Sequence, residues 1–489
     1  MNRPLRRMAA IVLLAFLALL ANATWVQGFQ AEELALQPSN SRLVLDQYDQ
    51  PRGPILLDGE PIAASRATDD RLRYLRVYDP GERYAHVTGY YSFLYGATAV
   101  ERAAGPVLSG TDDRLAFRRA LDVLTGSEQQ GGSVALTLDP RAQAAAVEGL
   151  AALGDSARGA VVALDPTTGA VLAMASRPTY DPNELAGHSA EEVQQAWERL
   201  QAADGQPLLN RAVDRTYPPG STFKVVTLAA ALSSGEYDLD DEVPGPAALD
   251  LPLTDVDLPN YDGAPCTPGS DTTTLLTALE RSCNSTFGAV GIELGAEELE
   301  EQARAFGFGE RFTVPMTTAE SVFPSGIDEP QTAQSAIGQF DVRATPLQMA
   351  MVGAGIANDG VVMAPYSVEQ VLGPDLAVLD QTDPAPLDRA VSPEVASQVR
   401  AAMVSVVEEG TGSGGQIPGV AVAGKTGTAQ VGGDRAPHAW FLSFAPAGPG
   451  EEARVAVAVV VENGAEQAEV SGNRLAAPIA REVMEAVLR

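Results

Sequence analysis

A serine and a lysine stand three residues apart in the sequence YPPGSTFK at 217–224, just before the apolar run 225–232. The prolines and Gly220 keep the chain out of a helix up to Ser221, and the run then predicts a buried helix that stops at 233–235. Residues three apart share a helix face, so the Ser221 hydroxyl would lie near the Lys224 amine at the positive end of the helix dipole. The same pattern also fits an ordinary N-cap serine with a lysine in the first turn.

The lysine count favours the catalytic interpretation. Of the 33 basic residues only Lys224 and Lys425 are lysines, and the other 31 are arginines. Arginine remains protonated and cannot act as a base, whereas a buried lysine beside another cation can lose its proton near neutral pH. Both lysines therefore stand where chemistry would need an amine, and Lys425 opens the sequence Lys425-Thr426-Gly427.

A third motif, Ser282-Cys283-Asn284, follows a predicted helix at 272–281. In the order S-x-x-K, S-x-N, K-T-G, the three motifs match the set typical of penicillin-binding proteins and serine β-lactamases. With the further sequences RGPI at 52–55, YDPN at 180–183, KTGT at 425–428 and HAWF at 438–441, the chain resembles the class B penicillin-binding proteins, in particular the actinobacterial penicillin-binding protein A group.

The resemblance implies a peptidoglycan D,D-transpeptidase with five catalytic residues. Ser221 would attack the penultimate D-alanyl carbonyl of a stem peptide, Lys224 would take its proton, and a second stem's amine would resolve the acyl-enzyme. Ser282 would relay the proton, and Asn284 would hold the substrate amide. The five implied catalytic residues are therefore Ser221, Lys224, Ser282, Asn284 and Lys425. Thr426, Gly427 and Thr428 would bind the substrate, and the backbone amides of Ser221 and Thr428 would form the oxyanion hole.

The resemblance also implies partners. About 100 residues between the N-terminal segment and the next domain are too few for a transglycosylase beside a spacer. We therefore expect a transpeptidase alone, which would need a membrane glycosyltransferase of the shape, elongation, division and sporulation type. The three histidines lie far apart, and neither they nor the cysteines have metal-ligand spacing, so no metal or cofactor is expected.

Composition and charge narrow the function classes. A formal charge of -31 without a basic patch beyond the N-terminus argues against nucleic-acid binding, and 45% hydrophobic residues allow a substantial core. The first thirty residues carry arginines at 3, 6 and 7, then a stretch of about 22 uncharged residues. It predicts a single membrane anchor with the rest of the chain outside the cell membrane. A cleaved signal peptide at Ala21-Asn22-Ala23 is the alternative.

The elements behind the motifs indicate an α+β fold. Strands are predicted at 134–138, 160–164, 170–175, 420–424, 440–444 and 455–461, and helices at 140–153, 272–281, 346–358, 393–409 and 474–488. Strands from both ends would form one antiparallel sheet with helices on both faces. The predicted domains are an anchor at 1–30, a small pedestal or dimerisation-like domain at 31–131, and the transpeptidase domain at 132–489.

Two other functions remain open on the same motifs. A D,D-carboxypeptidase or serine β-lactamase would hydrolyse the acyl-enzyme with water. The E-x-x-x-N context of a class A β-lactamase is missing, since Asn358 is the only asparagine between Asn284 and Lys425 and Ala354 stands four residues before it. A noncatalytic penicillin-binding sensor or scaffold is the other alternative, and the presence of both lysines argues against it.

Cys266 and Cys283 are the two cysteines of the chain, and we expect them to form a disulfide outside the membrane. A helix beginning near Asp271 would carry the chain about 18 Å to Cys283. The five residues from Cys266 to Asp271, if extended, span about 17 Å, so the two cysteines could just meet. The alternative is two free buried thiols. A bridge would hold Cys283 between Ser282 and Asn284.

Overall fold

The computed structural model describes residues 2–29, 48–125, 130–430, 432, 436–463 and 470–489. Within it, the N-terminal helix contains the stretch Arg6–Val26, whose 21 residues and mean hydropathy of 2.2 suffice to cross a membrane. Parts of each predicted domain lie outside the described residues: Met1 and Gln30 of the anchor, residues 31–47 and 126–129 of the pedestal, and residues 431, 433–435 and 464–469 of the transpeptidase domain.

The described residues form both α-helices and β-strands. In chain order, the helices are α1 (Asn2–Phe29), α2 (Gly81–Thr88), α3 (Ala99–Ala103), α4 (Gly105–Leu108), α5 (Ala116–Thr125), α6 (Pro140–Ala151), α7 (Asn183–Ala186), α8 (Ala190–Ala202), α9 (Lys224–Ser234), α10 (Leu275–Arg281), α11 (Asn284–Leu294), α12 (Ala296–Ala305), α13 (Glu329–Ala336), α14 (Pro346–Ala357), α15 (Pro393–Glu408) and α16 (Ala477–Leu488). The strands are β1 (Ile55–Leu57), β2 (Glu60–Ala67), β3 (Tyr74–Tyr78), β4 (Tyr91–Ser92), β5 (Gly96–Ala97), β6 (Ser133–Leu136), β7 (Arg158–Leu164), β8 (Val171–Arg177), β9 (Glu242–Pro244), β10 (Ala248–Asp250), β11 (Asp257–Pro259), β12 (Thr272–Thr274), β13 (Val361–Met363), β14 (Val368–Leu372), β15 (Val378–Gln381), β16 (Pro386–Arg389), β17 (Ala423–Ala429), β18 (His438–Ala445) and β19 (Val455–Asn463).

A five-stranded sheet has the strand order β17-β18-β19-β7-β8, with every neighbouring pair antiparallel. This confirms the prediction that strands from both ends of the domain form one antiparallel sheet, except for the strand predicted at 134–138. That strand, β6, pairs with β1 and β14 in a second sheet instead. Successive side chains of a strand point to opposite faces. In β19, Val455, Val457 and Val459 pack with α6 and α16, whereas Ala456 and Ala458 belong to the core that contains α9 and α14. The helices therefore cover both faces, as predicted.

Helix α9 is the buried helix that the apolar run predicts. All of its residues from Lys224 to Leu232 are buried. Gly235 ends it with φ 74°, a left-handed conformation that glycine adopts without a steric penalty. A 3-10 turn, Gly220–Phe223, precedes the helix, so Ser221 lies in this tighter turn rather than in α9 itself.

The predicted pedestal and the predicted transpeptidase domain share a second sheet, of order β15-β14-β6-β1-β2-β3. Strand β6 pairs in parallel with β1 and antiparallel with β14. Beside this sheet, Glu101 is wholly buried and accepts hydrogen bonds from Nε of both Arg52 and Arg76 at 2.6 Å. A buried carboxylate paired in this way ties α3 to the strands.

Three predicted elements differ from the observed ones by three or more residues at one or both ends. The helix predicted at 272–281 begins at Leu275, because the β-branched residues 272–274 form β12 and pair with β9 instead. The strand predicted at 420–424 lies at Ala423–Ala429, which places the K-T-G motif inside the strand. The closing helix begins at Ala477 rather than at Arg474, after a π-helical turn at Gly472–Ala476.

Candidate active site

The S-x-x-K motif lies on the 3-10 turn that leads into α9. Side chains three residues apart eclipse one another in such a turn, so Ser221 and Lys224 lie on one face. The turn is held by contacts on either side of it: the amide of Gly220 donates to Gly338 O at 2.9 Å, and Trp440 Nε1 donates to Pro218 O at 3.0 Å. Ser221 itself is half-buried and remains accessible.

The Ser282-Cys283-Asn284 motif forms the sharp link between α10 and α11. Ser282 has φ 61° and ψ 42°, a left-handed conformation that is rare for a residue with a side chain. The predicted disulfide between Cys266 and Cys283 is present, with Cα atoms 5.8 Å apart. It fixes Cys283, the residue that follows Ser282. Asn284 then begins α11, and its Nδ2 donates to Pro259 O at 3.0 Å. The link is thus braced against the hairpin β10–β11.

The two lysines converge on Ser282. Lys224 Nζ donates to Ser282 O at 2.7 Å and to Asn284 Oδ1 at 2.8 Å, and it lies 3.4 Å from Ser282 Oγ. Lys425 Nζ donates to the same Oγ at 2.8 Å and to Thr426 O at 3.0 Å. The three motifs predicted from the sequence therefore meet at one hydroxyl. The hydrogen bonds described for Lys224 go to Ser282 and Asn284, so its pairing with Ser221 rests on the geometry of the turn.

Burial changes the charge state of both amines. Each lysine is fully shielded from solvent. Burial lowers the pKa of Lys425 to about 7, because a desolvated ammonium is disfavoured. Burial and then the nearby charge of Lys425 hold the pKa of Lys224 well below its ordinary value. A neutral amine at Lys224 can accept a proton near neutral pH, which an arginine cannot.

The K-T-G motif lies on β17, the edge strand of the five-stranded sheet. Thr426 is buried, whereas Thr428 is half-buried and pairs with Ala439 of β18. The strand runs directly against the 3-10 turn that contains Ser221. A Cβ on Gly427 would lie 3.0 Å from Pro219 O, so this close approach favours a glycine.

The sequence interpretation missed the residue that contacts Thr426. Thr411, in the segment after α15, places its Oγ1 at 2.8 Å from Thr426 Oγ1. The signal that could have found it is the sequence Gly410-Thr411-Gly412, in which glycines on both sides of a hydroxyl permit close backbone approach.

Comparison with known proteins identifies two families along the chain. The penicillin binding protein transpeptidase domain matches residues 159–485, and the penicillin binding protein A dimerisation domain matches residues 52–134. The peptidoglycan D,D-transpeptidase PbpA of Mycolicibacterium smegmatis is 46% identical over 100% of this chain and 99% of its own length.

Solved structures of a second relative show the same fold. Penicillin-binding protein A from Mycobacterium tuberculosis, as its ceftriaxone acyl-enzyme complex, superposes with a TM-score of 0.87 at 45% identity, covering 91% of this chain and 100% of that one. Its penicillin G acyl-enzyme complex gives a TM-score of 0.84 at 45% identity, covering 90% and 100%.

Proposed function

This chain belongs to the class B penicillin-binding proteins, and from that premise we propose that Ser221 is its nucleophile. The protein is a serine D,D-transpeptidase that cross-links peptidoglycan stem peptides and is acylated by β-lactams. The observation that carries the assignment of residues is the convergence of two wholly buried lysines on Ser282, beside the turn that holds the half-buried Ser221. This arrangement provides a nucleophile and a neutral base.

The first half of the reaction transfers the acyl group to the enzyme. Lys224 removes the proton of Ser221 Oγ as this oxygen attacks the penultimate D-alanyl carbonyl. The developing oxyanion accepts hydrogen bonds from the backbone amides of Ser221 and Thr428. The peptide C–N bond then breaks, the departing nitrogen receives the proton through Ser282, and D-alanine leaves. The ester on Ser221 is the acyl-enzyme.

The second half forms the cross-link. The amine of a second stem attacks the ester carbonyl, its proton passes to Lys224, and Ser221 Oγ leaves with a proton as the new amide forms. Asn284 holds the donor amide, and Lys425 with Thr426, Gly427 and Thr428 of the edge strand receives the terminal carboxylate and the peptide backbone. A β-lactam takes the same route but retains its leaving amine in the opened ring.

The domain assignment and the location complete the proposal. Residues 1–30 anchor the protein in the cell membrane as a single span, residues 31–131 form the pedestal, and residues 132–489 form the transpeptidase domain outside the membrane. The span is supported by the length and apolar composition of α1. A membrane glycosyltransferase of the shape, elongation, division and sporulation type supplies the glycan strands. Co-purification of such an enzyme from crosslinked membranes tests this partnership, and its consistent absence there would contradict it.

A fluorescent penicillin tests the assignment of the nucleophile. We expect the full-length protein to be labelled covalently, with the mass increase on the peptide that contains Ser221, and to release the label slowly. Ser221→Ala should not be labelled, because the attacking oxygen is gone. The matched control is Ser234→Ala, since this hydroxyl lies at the far end of α9 and bonds to Ala231 O.

Two outcomes of the labelling experiment would overturn the proposal. Labelling of Ser221→Ala at the wild-type rate would show that another residue is the nucleophile. Rapid turnover of the penicillin by the wild-type protein would favour the β-lactamase or carboxypeptidase alternative, in which water resolves the ester.

A further inference from the structure

The segment Gly410-Thr411-Gly412 lies between the two elements that carry Ser282 and Thr426. The amide of Thr411 donates to Glu280 O at 3.1 Å, and Glu280 lies in the last turn of α10, two residues before Ser282. The hydroxyl of Thr411 lies 2.8 Å from that of Thr426 on the edge strand. One residue therefore contacts both the helix that leads into the S-x-N link and the K-T-G strand.

The backbone fixes where Thr411 lies. A Cβ on Gly410 would lie 2.6 Å from Glu280 O, so the segment approaches α10 more closely than any other residue would allow. The amide of Gly412 donates to Val406 O at 2.9 Å and returns the segment to α15. These contacts hold the Thr411 hydroxyl against the edge strand without any contribution from its own side chain.

The direction of the hydrogen bond between the two hydroxyls decides what Thr426 can bind. Each hydroxyl has one proton to donate. If Thr426 donates to Thr411, that proton is used within the protein and cannot reach a ligand. If Thr411 donates, Thr426 Oγ1 is the acceptor, and its own proton remains for an anion. Such a chain also polarises the second hydroxyl and strengthens its bond to the anion.

We propose that Thr411 is a positioning residue for carboxylate recognition. It donates to Thr426 Oγ1 and thereby directs the Thr426 proton toward the terminal carboxylate of a stem peptide or the carboxylate of a β-lactam. This inference rests on the proposed function, because it assigns the carboxylate to the K-T-G strand. It involves no covalent step, since Thr411 acts before acylation, on the bound ligand.

The test compares Thr411→Val with Thr411→Ser in the full-length protein, using penicillin G and its methyl ester as probes. Thr411→Val should lower the second-order acylation rate with penicillin G about fivefold, because the Thr426 hydroxyl is no longer held with its proton toward the carboxylate and the protein loses about one net hydrogen bond to the ligand. The loss should lie in the binding constant rather than in the acylation step. The ester has no carboxylate, so its rate should not change, and the preference for the acid over the ester should shrink. Thr411→Ser should behave as the wild type within about twofold.

Thr382→Val is the matched control, because it removes a hydroxyl bonded to Val368 O in the other sheet. It should leave both rates unchanged. An equal loss of rate with acid and ester in Thr411→Val, or a loss in Thr411→Ser as large as in Thr411→Val, would refute the positioning role. If Thr411→Val does not fold, the acid-to-ester ratio of Thr411→Ala decides in the same way. Absence of wild-type labelling at Ser221 would instead refute the proposed function.

Discussion

Replacing Lys425 by methionine should stabilise the folded protein at neutral pH while it strongly slows acylation. The side chains have similar length, but methionine needs no solvation and carries no proton. Lys425 is fully shielded from solvent, and burial lowers its pKa from 10.5 to about 7. At pH 7 the unfolded chain holds nearly one proton on this amine and the folded chain about half. This difference costs the wild type about 4 kcal/mol of folding free energy.

The substitution also removes two hydrogen bonds. Lys425 Nζ donates to Ser282 Oγ at 2.8 Å and to Thr426 O at 3.0 Å, and their loss costs about 2 kcal/mol in total. The net gain at pH 7 is therefore about 2 kcal/mol. Acylation should fall at least about 100-fold, because Ser282 loses the amine that holds its hydroxyl.

The pH dependence gives the sharper test. Because the folded pKa, about 7, lies below the unfolded pKa, 10.5, the unfolded state binds more protons between these two values, and the wild type gains stability as the pH rises. At pH 10 burying the amine costs only about 1 kcal/mol, which is less than the two hydrogen bonds contribute, so Lys425→Met should be less stable than the wild type. The difference in unfolding free energy between the two proteins should change sign at about pH 9. The charge of Lys425 also lowers the pKa of Lys224. Removing Lys425 therefore reduces the cost of burying Lys224 as well, which adds to the stabilisation of the variant at neutral pH.

The assay is urea unfolding of the full-length protein in a nonionic detergent at about pH 7, 8, 9 and 10, with penicillin labelling at each pH. Arg71→Met is the control, because Arg71 is exposed and its removal changes charge without changing burial. Its stability difference from the wild type should not vary with pH. If the difference in unfolding free energy between the wild type and Lys425→Met does not change from about pH 7 to pH 10, the claim that Lys425 is buried with a lowered pKa is refuted.

Three further changes test other parts of the structure. Lys224→Arg should lose acylation by about 10²- to 10⁴-fold, because arginine stays protonated and cannot accept the proton of Ser221; penicillin labelling of the folded variant measures this, and wild-type labelling would exclude Lys224 as the base. Replacing both Cys266 and Cys283 by alanine should lower the unfolding free energy by about 3 kcal/mol, measured in urea, since the bond closes a loop with a sequence separation of 17; equal midpoints would contradict this. Glu101→Gln should cost about 3 to 5 kcal/mol by the same assay, because two buried arginines lose their counter-charge, and a loss below about 1 kcal/mol would mean that they find another partner.

Local sequence determined the elements and the chemistry. Short apolar runs between turn signals predicted the strands of the antiparallel sheet, because strand formation follows from local residue types whatever the strand pairs with. The prolines and Gly220 before an apolar run predicted where helix α9 begins and ends, since φ restrictions act within a few residues. The confinement of lysine to positions 224 and 425 indicated amine chemistry without any knowledge of the fold.

Tertiary structure decided which atoms meet and how far they are from water. Residues 272–274 form a strand rather than the start of a helix because β9, which spans Glu242–Pro244, lies beside them despite its distance along the sequence. Strand β6 belongs to the sheet that contains β1 and β14, because its backbone hydrogen bonds go to these two strands. Both partners are distant in sequence, so the residues of β6 do not specify them. The lowered pKa of Lys425 and the contact of Thr411 with Thr426 likewise exist only in the folded chain. Desolvation and hydroxyl pairing depend on atoms that the fold brings within a few ångströms, and separation along the sequence does not encode that distance.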